Sequence, residues 1–287
     1  MKPFPIPVVT LGAGSQPEDE QLDYLPLPKD MNTYQAPMLP EPQEVATCIA
    51  ARETLQAVLS LLDRAANGGP GGQVDLLGLS TEDRRLINQV LGEGEASAIV
   101  QHDLLRQLET RIQESVFAGI WRLTTWDGIT LVDDAIEIGP VPALLRQTAQ
   151  ADVRERQRWD GPMPPHVQLA PMLADEIEDR ALRWQPGQEA HVVNLTLLPV
   201  SPEDIAFLDH ELGTGRVLLL SRGYGNCRIT NTCLPHCWRV VYYNSMDKVI
   251  LNTVEIIDMP EVAMAAAEDL RDSHRRLLDI AGYLASA

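Results

Sequence analysis

The sequence predicts an α+β fold: an internally duplicated strand–helix–antiparallel β–helix unit, present as two halves related by a pseudo-twofold. Three observations predict it. Segment 74–94, VDLLGLSTEDRRLINQVLGEG, returns at 195–215 as LTLLPVSPEDIAFLDHELGTG. Both segments carry a Ser-x-Glu-Asp helix start ahead of a single apolar helix face. Both are followed by short stretches of β character ending at a proline, Pro142 in one case and Pro260 in the other. Self-similarity at a fixed spacing decides the architecture before any single element does.

In chain order, residues 1–42 hold nine prolines, Pro3 to Pro42. Proline lacks a backbone donor and interrupts helices and central strands, so this region reads as an extended arm. Its leucines, Leu25, Leu27 and Leu39, are expected to tack it to the body. Residues 44–66 read as a helix, with Leu55, Val58, Leu59 and Leu62 on one face. The run Asn67-Gly68-Gly69-Pro70-Gly71-Gly72 ends it.

At a constant offset of 121, eight pairs are identical: Leu76/Leu197, Leu77/Leu198, Ser80/Ser201, Glu82/Glu203, Asp83/Asp204, Leu91/Leu212, Gly92/Gly213 and Gly94/Gly215. The apolar run before each serine reads as a buried strand. Each serine reads as a helix N-cap, with acids in the first turn where the helix dipole is positive. Gly92 and Gly213 fit the left-handed turn that stops a helix. The match resumes with Ile112/Ile229, Trp121/Trp238 and Arg122/Arg239, then Glu137/Glu255, Ile138/Ile256 and Pro142/Pro260. Strands are expected at 96–101, 113–125 and 129–138, and again at 216–222, 227–232, 236–243 and 248–257. Closing helices follow the two prolines, the last over 261–284. The chain thus divides into an arm, 1–42, a first α+β repeat, 43–150, a connector with a short helix over 172–183, 151–190, and a second repeat, 191–287.

Composition excludes several functions. Acids outnumber bases 41 to 23, a formal charge of −18, which opposes nucleic-acid binding. No apolar run reaches the roughly 18 residues that a membrane-spanning helix needs. The start, Met1-Lys2-Pro3-Phe4-Pro5, has neither an apolar signal stretch nor a twin-arginine pair, so a cytoplasmic protein without membrane insertion is expected.

No motif of known chemistry stands out. Cys227, Cys233, His236 and Cys237 are the candidate metal ligands, but their spacing is not that of paired C-x2-C sites. Cys233 and Cys237 align with the apolar Val116 and Ile120, which points to core positions. Cys227 and Cys233 have no cysteine counterparts in the first repeat, so a redox or iron–sulfur handling role using Cys227, Cys233 and Cys237 stays as the alternative. Gly12-Ala13-Gly14 is followed by three acids that would repel a phosphate. The six histidines are scattered, and no H-E-x-x-H, G-x-S-x-G or P-loop pattern occurs. The expectation is a protein with no catalytic residue set and no cofactor.

Numerous further motifs, spread over nearly the whole chain, resemble those of the HupH/HyaF/HoxQ family of [NiFe]-hydrogenase expression/formation proteins. They are Val74-Asp75-Leu76-Leu77, Leu91-Gly92-Glu93-Gly94-Glu95, Asn194-Leu195-Thr196-x-Leu198-Pro199, Gly223-Tyr224-Gly225, Trp238 and the ending Pro260-Glu261-Val262 to Asp272-Ser273. Gly12-x-Gly14-x-Gln16-Pro17 and Leu25-Pro26-Leu27-Pro28 fit the same resemblance. It implies a maturation chaperone for a membrane-bound uptake hydrogenase. The implied partners are the iron–sulfur small-subunit precursor before twin-arginine export and an accessory protein of thioredoxin-like fold. It implies no catalytic residues. For partner binding the candidates are acidic and apolar together: Glu18, Asp19, Glu20 and Leu25 in the arm, and Asp175, Glu176, Glu178 and Asp179 in the connector. An acidic surface favours basic partners.

Overall fold

The computed structural model describes residues 47–103, 105–223 and 226–286. They form two compact units of mixed helix and antiparallel sheet. One unit contains residues 47–146, 217–223 and 261–286; the other contains 147–216 and 226–260.

In the first unit, helix α1 (Ile49–Ala66) buries Ala51, Leu55, Val58 and Leu62, the stripe that helical spacing places on one side. Strand β1 (Gly72–Asp75) follows, then helix α2 (Thr81–Leu91), which buries Leu86, Ile87, Val90 and Leu91. Strands β2 (Ala96–Asp103), β3 (Leu108–Glu114), β4 (Ile120–Asp127) and β5 (Thr130–Ile138) make an antiparallel meander. With β7 (Val217–Ser221) beside β2, the strand order is β1-β5-β4-β3-β2-β7. Helix α3 (Ala143–Ala151) opens after Pro142. A 3-10 turn, Glu261–Ala263, leads into helix α6 (Ala267–Ser286), whose Leu270, Leu277, Ala281 and Leu284 close the core over α1.

The second unit holds helix α4 (Ala170–Arg183), strand β6 (His191–Asn194), helix α5 (Pro202–Leu212) and strands β8 (Asn226–Asn231), β9 (Cys237–Tyr243) and β10 (Val249–Ile256). Its strand order is β8-β9-β10-β6. The core lies under the helices: Ala170, Ala174, Ile177 and Ala181 of α4 and Phe207, Leu208 and Leu212 of α5, against Cys237, Val254 and Ile256.

The two helix starts are built alike. Ser80 Oγ accepts from the amide of Asp83 at 3.0 Å, and Ser201 Oγ from that of Asp204 at 3.0 Å. Each aspartate then reaches the start of the preceding helix. Asp83 accepts from the Ala51 amide at 2.9 Å, and Asp204 from the amides of Gln168, Leu169 and Ala170 at 2.8, 2.9 and 3.0 Å. Burial opposes ionisation of Asp204, but these amides and that of Ser201 prevail and hold its carboxyl below the usual range. Gly92 and Gly213 both turn left-handed, φ +56° and +67°.

Three expectations need correction. The apolar runs before Ser80 and Ser201 are turns, not strands; the strands end earlier, at Asp75 and Asn194. Only Leu76 and Leu195 of the two runs are buried, while Leu77 and Leu197 are exposed. The Leu76 amide donates to Asp134 O and the Leu195 amide to Asn252 O, so Leu76 is matched by Leu195 and not by Leu197. The second turn is two residues longer, which the constant offset concealed. The single strand expected over 113–125 is two, β3 and β4, folded at Ser115–Gly119. The last helix begins at Ala267, because the chain first makes the 3-10 turn. Helix α4 buries Ala170, Ala174, Ile177 and Ala181, the same spacing as the buried Ala51, Leu55, Val58 and Leu62 of α1.

Candidate functional site

Both tryptophans of the repeated Trp-Arg pairs are core anchors. Trp121 Nε1 donates to Gly139 O at 3.0 Å, and Trp238 Nε1 to Ile257 O and Asp258 O, each at 3.2 Å. The arginines differ. Arg122 is clamped by Asp134 through Nε and Nη2 at 2.5 and 2.7 Å, and Nη1 donates to Asn88 at 2.7 Å. Among the described residues Arg239 meets one carboxylate, Asp209 at 3.3 Å; Asn252 holds the ladder position relative to Arg239 that Asp134 holds relative to Arg122. Among the described residues the buried Nε of Arg239 and the Oδ1 of Asn252 have no hydrogen-bond partner.

The candidate ligands Cys227, Cys233 and Cys237 are all unpaired thiols and all buried. Side chains alternate across a strand, so register fixes their faces. Cys227 pairs across from Tyr242 and shares a face with Ile229 and Trp238; Cys237, one residue before Trp238, points to the opposite face. One ion therefore cannot be held by Cys227 and Cys237 together. Burial pushes both thiols up to about 12, and it raises Cys233 against the pull of Arg154. A thiol is neither ligand nor nucleophile until it ionises. Among the described residues no group of three or more histidine, cysteine or carboxylate side chains is gathered for a metal. Cys233 occupies the place of Val116: the Cys233 amide donates to Leu212 O and the Val116 amide to Leu91 O, both at 2.9 Å. His236 adopts φ +55° at the turn where Gly119 has φ +82°, and its ring stacks on Trp184 at 4.3 Å.

The four connector acids lie on α4, each beside a basic side chain of the same chain. Asp175 and Glu178 meet both Arg156 and Arg158, Asp179 meets Arg183 at 2.8 Å, and Glu176 meets His191 at 3.0 Å. Arg156 is the centre of this network. Its side chain is 4% exposed and also bonds Glu211, 3% exposed, at 2.7 Å. Glu18, Asp19, Glu20 and Leu25, the arm candidates, lie outside the described residues.

Sequence reasoning missed a cavity of about 350 Å³ at the end of α4, lined by Arg180, Arg183, Trp184, Gln188, His191 and Ile256 among others. Its signal was present but hidden: once α4 is matched to α1, Arg180 falls where the first half has Leu61.

The sequence model described as "HupH hydrogenase expression protein, C-terminal conserved region" matches residues 48–158 and again 167–284. The chain belongs to this HupH family. Among its HupH relatives is the hydrogenase expression/formation protein HoxQ of Cupriavidus necator, 51% identical over the full length of both chains. HupH of Rhodobacter capsulatus is 42% identical, covering 96% of this chain and 97% of its own. The hydrogenase-1 operon protein HyaF of Escherichia coli K12 is 35% identical over 96% of each. A solved structure of the HupH protein of Thiobacillus denitrificans matches 38% of this chain and 91% of its own, at 26% identity and a TM-score of 0.36. No helix among the described residues is long and apolar enough to cross a membrane.

Proposed function

We propose that this chain is a non-enzymatic, cytoplasmic accessory protein in the maturation of a membrane-bound uptake [NiFe]-hydrogenase, and that it holds the iron–sulfur small subunit before twin-arginine export. The observation that carries the reading is the full-length, 51% identity to a hydrogenase expression/formation protein, with further relatives of the same description. The thiols support a binding role over redox work, since burial keeps them protonated at neutral pH. We further read the chain as a duplicated unit. Support comes from the twice-matching family model, the twin helix starts and the matched burial of α1 and α4. The arm acids and the outer face of α4, where Met172 is exposed, are the proposed contacts for the precursor, with a thioredoxin-like accessory protein as a second partner.

The test is a strain lacking this chain. Precursor small subunit should accumulate and exported, active hydrogenase should fall, with both restored by the wild-type copy. An affinity-tagged chain should capture the precursor in a salt-sensitive manner, since exposed charge attraction is screened over about 10 Å at 0.1 M salt. Normal hydrogenase output in the deletion strain, with and without air, would refute the reading.

A further inference from the structure

The two halves differ most where α4 ends. In the first half, Leu61 lies directly on Gly72: a Cβ added there would come within 2.7 Å of the Leu61 side chain. The next glycine, Gly71, is tighter still, with the backbone of Ile138 against it. Leucine, glycine and isoleucine thus close that position, and Leu61 packs against the core. The equivalent set in the second half is Arg180, His191 and Ile256, and those three line the open cavity. An arginine standing for a core leucine leaves the space unfilled.

Among the described residues the polar groups of the cavity are only partly satisfied. His191 is engaged by Glu176 and Arg183 by Asp179. Among the described residues no carboxylate pairs with Arg180. Trp184 forms one wall, and its buried indole N–H has no acceptor among the described residues. That wall is held by the ring of His236, which keeps a left-handed backbone, rare for a side chain of its size, at the turn where the first half has glycine. The cavity also adjoins a sheet edge: among the described residues β6 pairs with β10 on one side and with no strand on the other. Val192, in the middle of β6, is 48% exposed.

We propose that this cavity and the free edge of β6 form one docking surface for an extended acidic segment of a partner protein, which adds as a strand beside β6 and sets a carboxylate on Arg180. Strand addition takes its affinity from main-chain hydrogen bonds and its specificity from pockets that receive alternate side chains. The occupant's charge follows from complementarity: a guanidinium with no carboxylate among the described residues can donate two parallel hydrogen bonds to one. The chain's formal charge of −18 does not decide the matter, because distant charges are screened beyond about 8 Å at physiological ionic strength. This surface goes beyond the hydrogenase reading and stands or falls without it.

The test uses the purified full chain and a phage-displayed library of random twelve-residue peptides. Wild type should enrich apolar-alternating sequences with a central Asp or Glu. A synthetic copy of the best binder should slow amide exchange along β6, and its Glu→Gln version should bind roughly tenfold more weakly, about 1.4 kcal/mol. Arg180→Leu, which installs the first half's residue, should keep the thermal midpoint and lose the same tenfold or more. Arg180→Gln serves as the second variant if the leucine perturbs folding. The proposal is overturned if no peptide is enriched, if binders lack acids, if they bind Arg180→Leu equally, or if millimolar acetate displaces them, which would make this a small-anion site.

Discussion

The Arg156 guanidinium is buried against Asp175, Glu178 and Glu211, and its removal strands the charge of Glu211, which is 3% exposed. Breaking a buried ion pair by deleting one partner costs about 3–5 kcal/mol. Arg156→Ala should lose stability of that order in urea unfolding. Arg158→Ala, at a side chain 62% exposed, should lose less than about 1 kcal/mol. Equal losses would mean the network is not centred on Arg156. The opposite experiment is available at Arg239. Asn252→Asp supplies the carboxylate that Asp134 gives Arg122 in the first half. A hydrogen bond to a charged group is worth about 1.5–3 kcal/mol, so the variant should be stabilised by about that amount at neutral pH. The gain should vanish in acid, as the new carboxyl, held low by Arg239, takes up its proton. A destabilised Asn252→Asp at pH 7 would show that Arg239 does not need a counterion.

At the scale of elements, the turn at Gly119 sets how closely α6 can approach. Its φ is +82°, and an added Cβ would lie 2.0 Å from the Leu270 side chain. Gly119→Ala combines left-handed strain of about 1–2 kcal/mol with overpacking of about 1–3 kcal/mol. Its thermal midpoint should fall well below that of Gly128→Ala, where φ is +58° but the space is open. Elements with a local chemical signature were legible in the sequence: the Ser80 and Ser201 caps, the glycine stops and the second-half strands, which are rich in β-branched residues. Elements decided by long-range contacts were not. Strand β3 reads as polar, Leu-Glu-Thr-Arg-Ile-Gln-Glu, and buries only Thr110 and Ile112, so it merged with β4. The leucines before Ser80 and Ser201 look like strands, yet only the first of each run is buried, and where such a strand ends depends on its pairing with β5 or β10. Cys233 and Cys237 were legible as buried through their alignment with Val116 and Ile120; Cys227, buried as well, was not. The cavity was not, because Arg180 gains meaning only when two helices of different length are superimposed.

For the molecule as a whole, the end of the chain completes the core of its beginning, since α6 belongs to the unit that holds α1. That junction carries a proton. Glu114 Oε1 accepts from the Gly119 amide at 3.1 Å, in the turn that meets Leu270. Burial pushes the Glu114 carboxyl up to about 7, and Glu95 and Asp269, the latter in the first turn of α6, push the same way against the Gly119 amide. Among the described residues the second half has no such cluster. There Asn231 takes the place of Glu114 and Arg216 that of Glu95; Asn231 Nδ2 donates to Asp152 at 3.0 Å and Arg216 bonds the same acid. The sign of the pH effect follows from linkage. Glu114 binds its proton more tightly when folded than when unfolded, so its contribution is complete below pH 4.5 and is lost as pH rises through about 7. A shift of this size corresponds to a loss on the order of 3 kcal/mol. Glu114→Gln mimics the protonated form permanently. It should unfold with a flatter pH dependence between 5 and 8 than wild type, and at pH 8 it should be the more stable of the two. Amide exchange in the first turns of α6 should quicken with pH in wild type beyond the chemical rate, and not in the variant. Parallel pH profiles for the two proteins would show that Glu114 ionises without strain and that α6 is held independently of it.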